Sequence, residues 1–199
     1  MAAEPPTRHA LRERYDLKQQ VVIDHAATEF ALRGFHATSM HDLTLATGLT
    51  PGGLYHYIGS KDNLLVMICD RLMEPLLAEA REIAAADWPA DEQLRQIVRV
   101  WMATVAQDTD HMRVFLQERH VLEDGSQWRK VRRQRKEFEE LLATVLARGE
   151  HQGRLHFADP ELALKALLGM VNHTAQWFRP RGRLTAQEIA DGYVDLLLS

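Results

Sequence analysis

Between Thr38 and Leu65 the chain carries two short helix-length segments, each bracketed by start and stop signals, and that spacing leaves few folds open. Ser39 with Asp42 three residues on has the form of a capping box, with Asp in the place of the usual Glu. Gly48 closes the first segment, Thr50-Pro51 opens the second and Gly59 ends it. Ser60 then caps a longer helix through Leu64, Leu65, Ile68, Leu72 and Leu76. Met40, Leu43, Ala46, Leu49, Leu54 and Ile58 can share a small core with Phe30 and Phe35, and Ala46 lets two helices cross closely. Gly48 permits the positive φ of a tight inter-helix turn. The expected product is a helix-turn-helix, whose second helix lies in a DNA major groove.

The outward residues of that second helix suit DNA. Thr50, Tyr55 and His56 offer hydrogen bonds, and Gly52 and Gly53 let the backbone approach. Pro51 and Tyr57 belong to the same surface, and His41 nears the groove from the preceding helix. Thr38, Ser39 and Lys61 are expected on phosphates, Lys61 at a helix N-terminus where the cation and the backbone amides both attract anions. A plain helical hairpin explains a lone glycine turn equally well. The order of the whole block outweighs that reading: Gly34-Phe35, Thr38-Ser39, Asp42-Leu43, Ala46-Thr47-Gly48-Leu49, Gly53-Leu54-Tyr55-His56-Tyr57, Lys61-Asp62-Asn63-Leu64. Over about residues 17–65 it strongly resembles the TetR family of bacterial transcriptional regulators. Tyr57-Ile58-Gly59 stands where many members have His-Phe and a polar residue. The resemblance implies a cytoplasmic homodimer that binds a palindromic double-stranded operator, usually as a repressor. A small molecule in the C-terminal helical domain then shifts the two heads and releases the DNA.

The remaining sequence fits an all-α chain of about nine helices. Residues 1–15, with paired prolines and several charges, suggest a flexible arm. Residues 16–62 form the expected DNA-binding domain, and 63–199 the ligand-binding and dimerisation domain. Helical faces recur at Leu94 to Val105, Met112 to Leu116, Trp128 to Leu146 and from Asp159-Pro160 to Trp177. Thr185 with Glu188 is a clear capping box for a last helix over 186–198. The net charge of -4 excludes a generally cationic nucleic-acid binder. Residues 1–65 hold Arg8, Arg12, Arg14, Lys18, Arg33 and Lys61 against Glu4, Glu13, Asp16, Asp24, Glu29, Asp42 and Asp62, so a DNA-facing surface is positive only locally. The single Cys69 cannot form an internal disulfide, and no apolar run is long enough to span a bilayer.

No histidine pair sits at i,i+4 and no Cys-His cluster occurs, so no metal or cofactor is expected. No nucleotide loop, nucleophile elbow or acid pair appears, which leaves an enzyme reading without support. The alternative to a regulator is an all-α small-molecule-binding or catalytic protein with an incidental helix-turn-helix. Leu162, Ala166, Leu167 and Met170 on one helix and Ile189, Tyr193, Leu196 and Leu197 on the last resemble the family's dimerisation pair. The stretch from Trp177-Phe178-Arg179-Pro180 to Leu184-Thr185 resembles actinobacterial regulators of sterol and fatty-acid breakdown, several of which respond to acyl-CoA thioesters. Trp101, Met112, Phe115, Phe138, Met170, His173 and Trp177 are candidates for lining an apolar effector site, acyl-CoA foremost. Arg132 and Arg133, from the basic run 129–136, are candidates for its phosphates, against the reading of that run as a solvated face.

Overall fold

The computed structural model describes residues 8–119, 121 and 125–198, and among them it holds nine α-helices and no strand. They are α1 (Arg8–Arg33), α2 (Met40–Thr47), α3 (Pro51–Ile58), α4 (Lys61–Ala85), α5 (Ala90–Gln107), α6 (Thr109–Gln117), α7 (Arg129–His151), α8 (Pro160–Trp177) and α9 (Ala186–Leu198). A 3₁₀ turn, Ser126–Trp128, leads into α7. No described helix is long and apolar enough to cross a membrane.

The short helices sit where local chemistry starts and stops them. Ser39 and Asp42 make the reciprocal capping box: the Asp42 amide donates to Ser39 Oγ at 3.1 Å, and the Ser39 amide donates to Asp42 Oδ2 at 2.8 Å. Gly48 then takes φ +68°, a left-handed backbone that stops α2 and aims the chain at Thr50. Thr185 and Glu188 repeat the box before α9, the Thr185 amide donating to Glu188 Oε2 at 2.7 Å. Asp159 caps α8 through the amides of Glu161 and Leu162.

The long first helix overturns the flexible-arm expectation from residue 8 onward; residues 1–7 lie outside the described part. The reason is long-range. Tyr15 packs on Tyr57 with ring centroids 5.0 Å apart, and its hydroxyl donates to the His56 carbonyl at 3.1 Å. Gln19 Nε2 donates to the Tyr57 carbonyl at 2.7 Å. The stretch before Leu17 is thus held helical by α3 rather than by its own apolar content.

Phe30, Leu43, Leu54, Ile58, Leu64 and Leu65 are fully buried where α1 to α4 meet. That core continues along α4, which packs on α5, α6 and α7. Arg148 and Gln93 satisfy the end of α4: Gln93 Nε2 donates to the Ala86 carbonyl at 2.8 Å, and Arg148 donates to the Ala84 carbonyl and to Gln93 Oε1. Arg99 forks onto Asp191 at 2.8 and 2.9 Å, and Arg95 reaches Asp195 at 2.7 Å, tying α5 to α9.

A Cβ at Gly48 or Gly52 would meet no atom within 4 Å, but only Gly48 has positive φ. Gly48→Ala is therefore expected to destabilise by about 1–2 kcal/mol through backbone strain alone, and Gly52→Ala to leave stability unchanged or slightly raised. Urea unfolding of both variants measures the contrast.

Candidate functional site

The exposed face of α3 is small and polar. Gly52 opens directly to solvent, Tyr55 is 48% exposed, and Pro51 and His56 are exposed beside them. His41 stands exposed on α2. Thr50 is exposed, but its Oγ1 accepts the Gly53 amide at 3.2 Å as the N-cap of α3. Gly53 has a structural reason of its own, since a Cβ there would crowd that oxygen at 3.2 Å. Tyr57 is half-buried against Tyr15, so it supports α3 more than it faces outward.

Two of the residues expected on phosphates lie at helix starts beside this face. Ser39 is exposed at the α2 N-terminus, and Lys61 opens α4. Lys61 Nζ lies 4.6 Å above the Phe35 ring and 3.5 Å from the His36 carbonyl, and partial burial holds its pKa below the ordinary lysine value. Thr38 departs from expectation. It is fully buried, and its hydroxyl donates to the Gly34 carbonyl at 2.8 Å, closing the turn after α1 instead of facing a phosphate.

A second site lies between α4, α5, α6, α7 and α8. Met73, Leu76, Trp101, Met112, Phe115 and Phe138 form its apolar wall, with Leu168 across from them. Trp101 and Phe138 meet edge to face at 5.0 Å. Arg135, Glu139 and Asn172 bring polar atoms to it, and the Arg135 guanidinium lies 5.3 Å from the Phe115 ring centre. The cavity is only about 30 Å3, space for roughly one or two waters.

Four of the expected lining residues, Trp101, Met112, Phe115 and Phe138, come together here. The others do not. Arg132 donates to the Gly125 carbonyl at 3.0 Å, and Arg133 lies in an outer groove with Glu74, Arg81 and Lys130. Met170 is half-buried off the cavity, His173 is exposed, and Trp177 lies 44% exposed at the α8 end. The sequence held a signal for Arg135 that the charge run obscured. It lies four after Val131 and three before Phe138, on the inward face, whereas Arg132 and Arg133 are rotated away. Among the described residues no group of His, Cys, Asp and Glu could hold a metal ion.

Helix α8 is apolar on two sides. Ala163, Leu167, Val171, Thr174 and Ala175 face the interior, while Leu162, at 65% exposed, shares the outer face with Ala166 and Gly169. On α9, Leu196 is 68% exposed, Tyr193 and Leu197 are half-buried, and Ile189 is buried. Leu167 and Ile189 therefore serve the protomer's own core, in correction of their expected place in a dimer contact. Tyr193 joins the two helices through a 2.7 Å hydroxyl contact with Thr174.

Comparison with known proteins covers both halves of the chain. Residues 22–68 match the model for bacterial regulatory proteins of the tetR family, and residues 87–199 match that for the tetracyclin repressor-like C-terminal domain. The HTH-type transcriptional repressor KstR2 of Rhodococcus jostii is 28% identical over 178 residues, 89% of this chain and 87% of that protein. The TetR family transcriptional regulator PfmR from Thermus thermophilus superposes with a TM-score of 0.78 at 32% identity, over 89% of this chain and 96% of that one. AibR, solved in complex with isovaleryl coenzyme A and operator DNA, superposes with a TM-score of 0.78 at 27% identity, over 91% and 98% of the two chains.

A polar cluster ties α1 to α6 beside these sites. His111 is buried, with Nε2 3.3 Å from Asp24, and Arg71, Asp108 and Asp110 surround it. Desolvation holds its pKa below the ordinary histidine value, against the pull of Asp108 and Asp24. The folded chain thus keeps this imidazole neutral at pH values where the unfolded chain, with a pKa of about 6.5, takes up a proton. Stability contributed here is complete above that value and declines as pH falls beneath it. His111→Gln is expected to flatten this part of the decline in urea midpoints measured between pH 7.5 and 5.

Proposed function

The chain belongs to the TetR family of bacterial regulatory proteins, and from that premise we propose that it is a repressor which binds a palindromic operator as a homodimer and releases it when an acyl-CoA thioester enters the helical domain. It is a regulator and not an enzyme. Residues 16–62 supply the DNA-binding unit, extended by the helical Arg8 to Tyr15 segment, and 63–199 the effector and dimer unit. Gly52, Tyr55 and His56, with Thr50, Pro51 and His41 around them, meet the base edges, while Ser39 and Lys61 meet phosphates. Arg8, Arg12 and Arg14 extend the positive surface.

The observation that carries the effector reading is the cavity beside Phe115 and Phe138, apolar in its body with Arg135 at its wall. An acyl chain suits the aromatic lining, and the guanidinium suits the carbonyl oxygen of the thioester. A cavity of about 30 Å3 admits no such chain without moving its walls. The effector therefore favours a different arrangement of α6 and α7 from the one described. A ligand shifts an equilibrium only by its preference between two states, and here the preference is steric from the start. AibR, with isovaleryl coenzyme A and operator DNA, is a relative in which both partners meet a similar chain.

The dimer reading rests on the outer faces of α8 and α9. Leu162, Ala166 and Gly169 form an apolar strip that small residues keep flat, and Leu196 continues it on α9. A two-fold contact there sets two heads about one DNA turn, ~34 Å, apart.

Leu162→Glu, on this outer face, is expected to give a folded monomer by sedimentation that loses operator binding, with the wild-type protein a dimer; a wild-type monomer at micromolar concentration overturns the dimer reading. Titrating a protein–operator complex with acyl-CoAs and the matching free acids tests the effector. Release by the thioesters alone is expected, and Arg135→Ala should raise the concentration needed about tenfold, the loss of one charge-assisted hydrogen bond. Release by neither class removes the acyl-CoA assignment and leaves the regulator reading standing.

A further inference from the structure

Glu118 is a buried acid that neither proposed site uses. It ends α6 with only 5% of its surface exposed, and its Oε1 accepts the backbone N–H of Phe35 at 2.8 Å. Phe35 lies in the turn between α1 and α2, so the contact joins the C-cap residue of α6 to the entrance of the helix-turn-helix. A Cβ on Gly34 would come within 3.6 Å of the same oxygen, so the turn is seated closely on the carboxylate. The Phe35 ring is fixed by three further groups. Phe30 meets it edge to face at 5.4 Å, Trp128 at 6.3 Å, and Lys61 Nζ lies 4.6 Å above it.

The middle and last turn of the same helix form part of the cavity wall. Met112 and Phe115 line the cavity, and Glu118 follows Phe115 by three residues, so it lies on the same side of the helix one turn further on. The Glu118 amide donates to the Val114 carbonyl at 3.0 Å, so the turn that carries Phe115 also carries the carboxylate that holds the Phe35 amide.

We infer that Glu118 is the positioning residue that links cavity occupancy to the DNA-binding head, through its hydrogen bond to the Phe35 amide and directly into the α1–α2 turn. The link rests on the regulator reading above but not on the chemistry of the effector. When the cavity fills, α6 shifts, the Glu118 acceptor leaves the Phe35 amide, and the turn that sets α2 and the Lys61 contact loses its seat. A glutamine keeps the accepting oxygen; an alanine removes it.

The test fills the cavity without any ligand. Leu168→Phe occupies it from the α8 wall, and Met112→Trp does so from α6 itself. Each filler is combined with wild-type Glu118, Glu118→Gln and Glu118→Ala in the full-length protein. Amide hydrogen exchange at Phe35 is measured, together with affinity for a duplex selected by the wild-type protein from a random pool. With Glu118 or Gln, a filler should speed Phe35 exchange at least tenfold and weaken duplex binding at least tenfold. With Ala, Phe35 should already exchange fast, and a filler should change either readout less than threefold. A purely structural role for Glu118 predicts instead equal filler effects in all three backgrounds, and that result overturns the inference. So does the absence of any filler effect with wild-type Glu118, because the cavity wall then does not reach the turn. If no duplex is selected, the regulator reading fails separately, and Phe35 exchange still decides the link. If acyl-CoAs fail to release DNA while the fillers succeed, only the effector assignment falls.

Discussion

An eight-residue helix does not hold together in water by itself, and this protein carries the face proposed above for DNA on two of them. Their direction is therefore borrowed. Ser39, Thr50 and Ser60 satisfy the first amides, Gly48 sets the angle, and Leu43, Leu54 and Ile58 dock onto Phe30 of α1 and Leu64 and Leu65 of α4. Whatever tilts α1 or α4 must tilt the α3 face with it. The same dependence gives the cluster of Phe35, Lys61 and Glu118 its leverage, because it lies at the corner where α1 hands the chain to α2.

The caps were legible in the sequence because their chemistry is local. A hydroxyl, an acid three residues on and a glycine at the stop decide a helix end within a few residues, and all three capped starts after Ser39, Ser60 and Thr185 form as their residues suggest. The helical stretch from Arg8 to Tyr15 was not legible, because its support comes from Tyr57 and His56, more than forty positions away in the case of the Tyr15 hydroxyl bond. Thr38 illustrates the same limit on a smaller scale: a threonine before a helix suits a phosphate contact or a turn-closing bond equally, and only the position of the Gly34 carbonyl decides.

Charge misled where helical phase would have guided. Six basic residues between 129 and 136 spread around three faces of the helix, and Lys130 turns to Asp70 and Glu74, Lys136 to Glu140, and Arg135 to Phe115. On α8, apolar residues lie on two faces. The stripe through Leu167 and Val171 packs inside the protomer, and the stripe through Leu162 and Ala166 is left outside. Sequence periodicity marks both stripes but does not say which one belongs to the fold and which to an assembly.

The smallness of the cavity has a consequence in time. A chamber of about 30 Å3 has no room for a long apolar molecule, so under the effector reading proposed above entry waits for α6 and α7 to part. Association that depends on such an opening stops rising with concentration once opening itself is the slow step. The response of this protein would then have a built-in ceiling on its speed, set by the packing of Trp101, Phe115 and Phe138 rather than by how much effector surrounds it. Brief pulses of metabolite shorter than that opening interval would pass unanswered, and only a sustained supply would be heard.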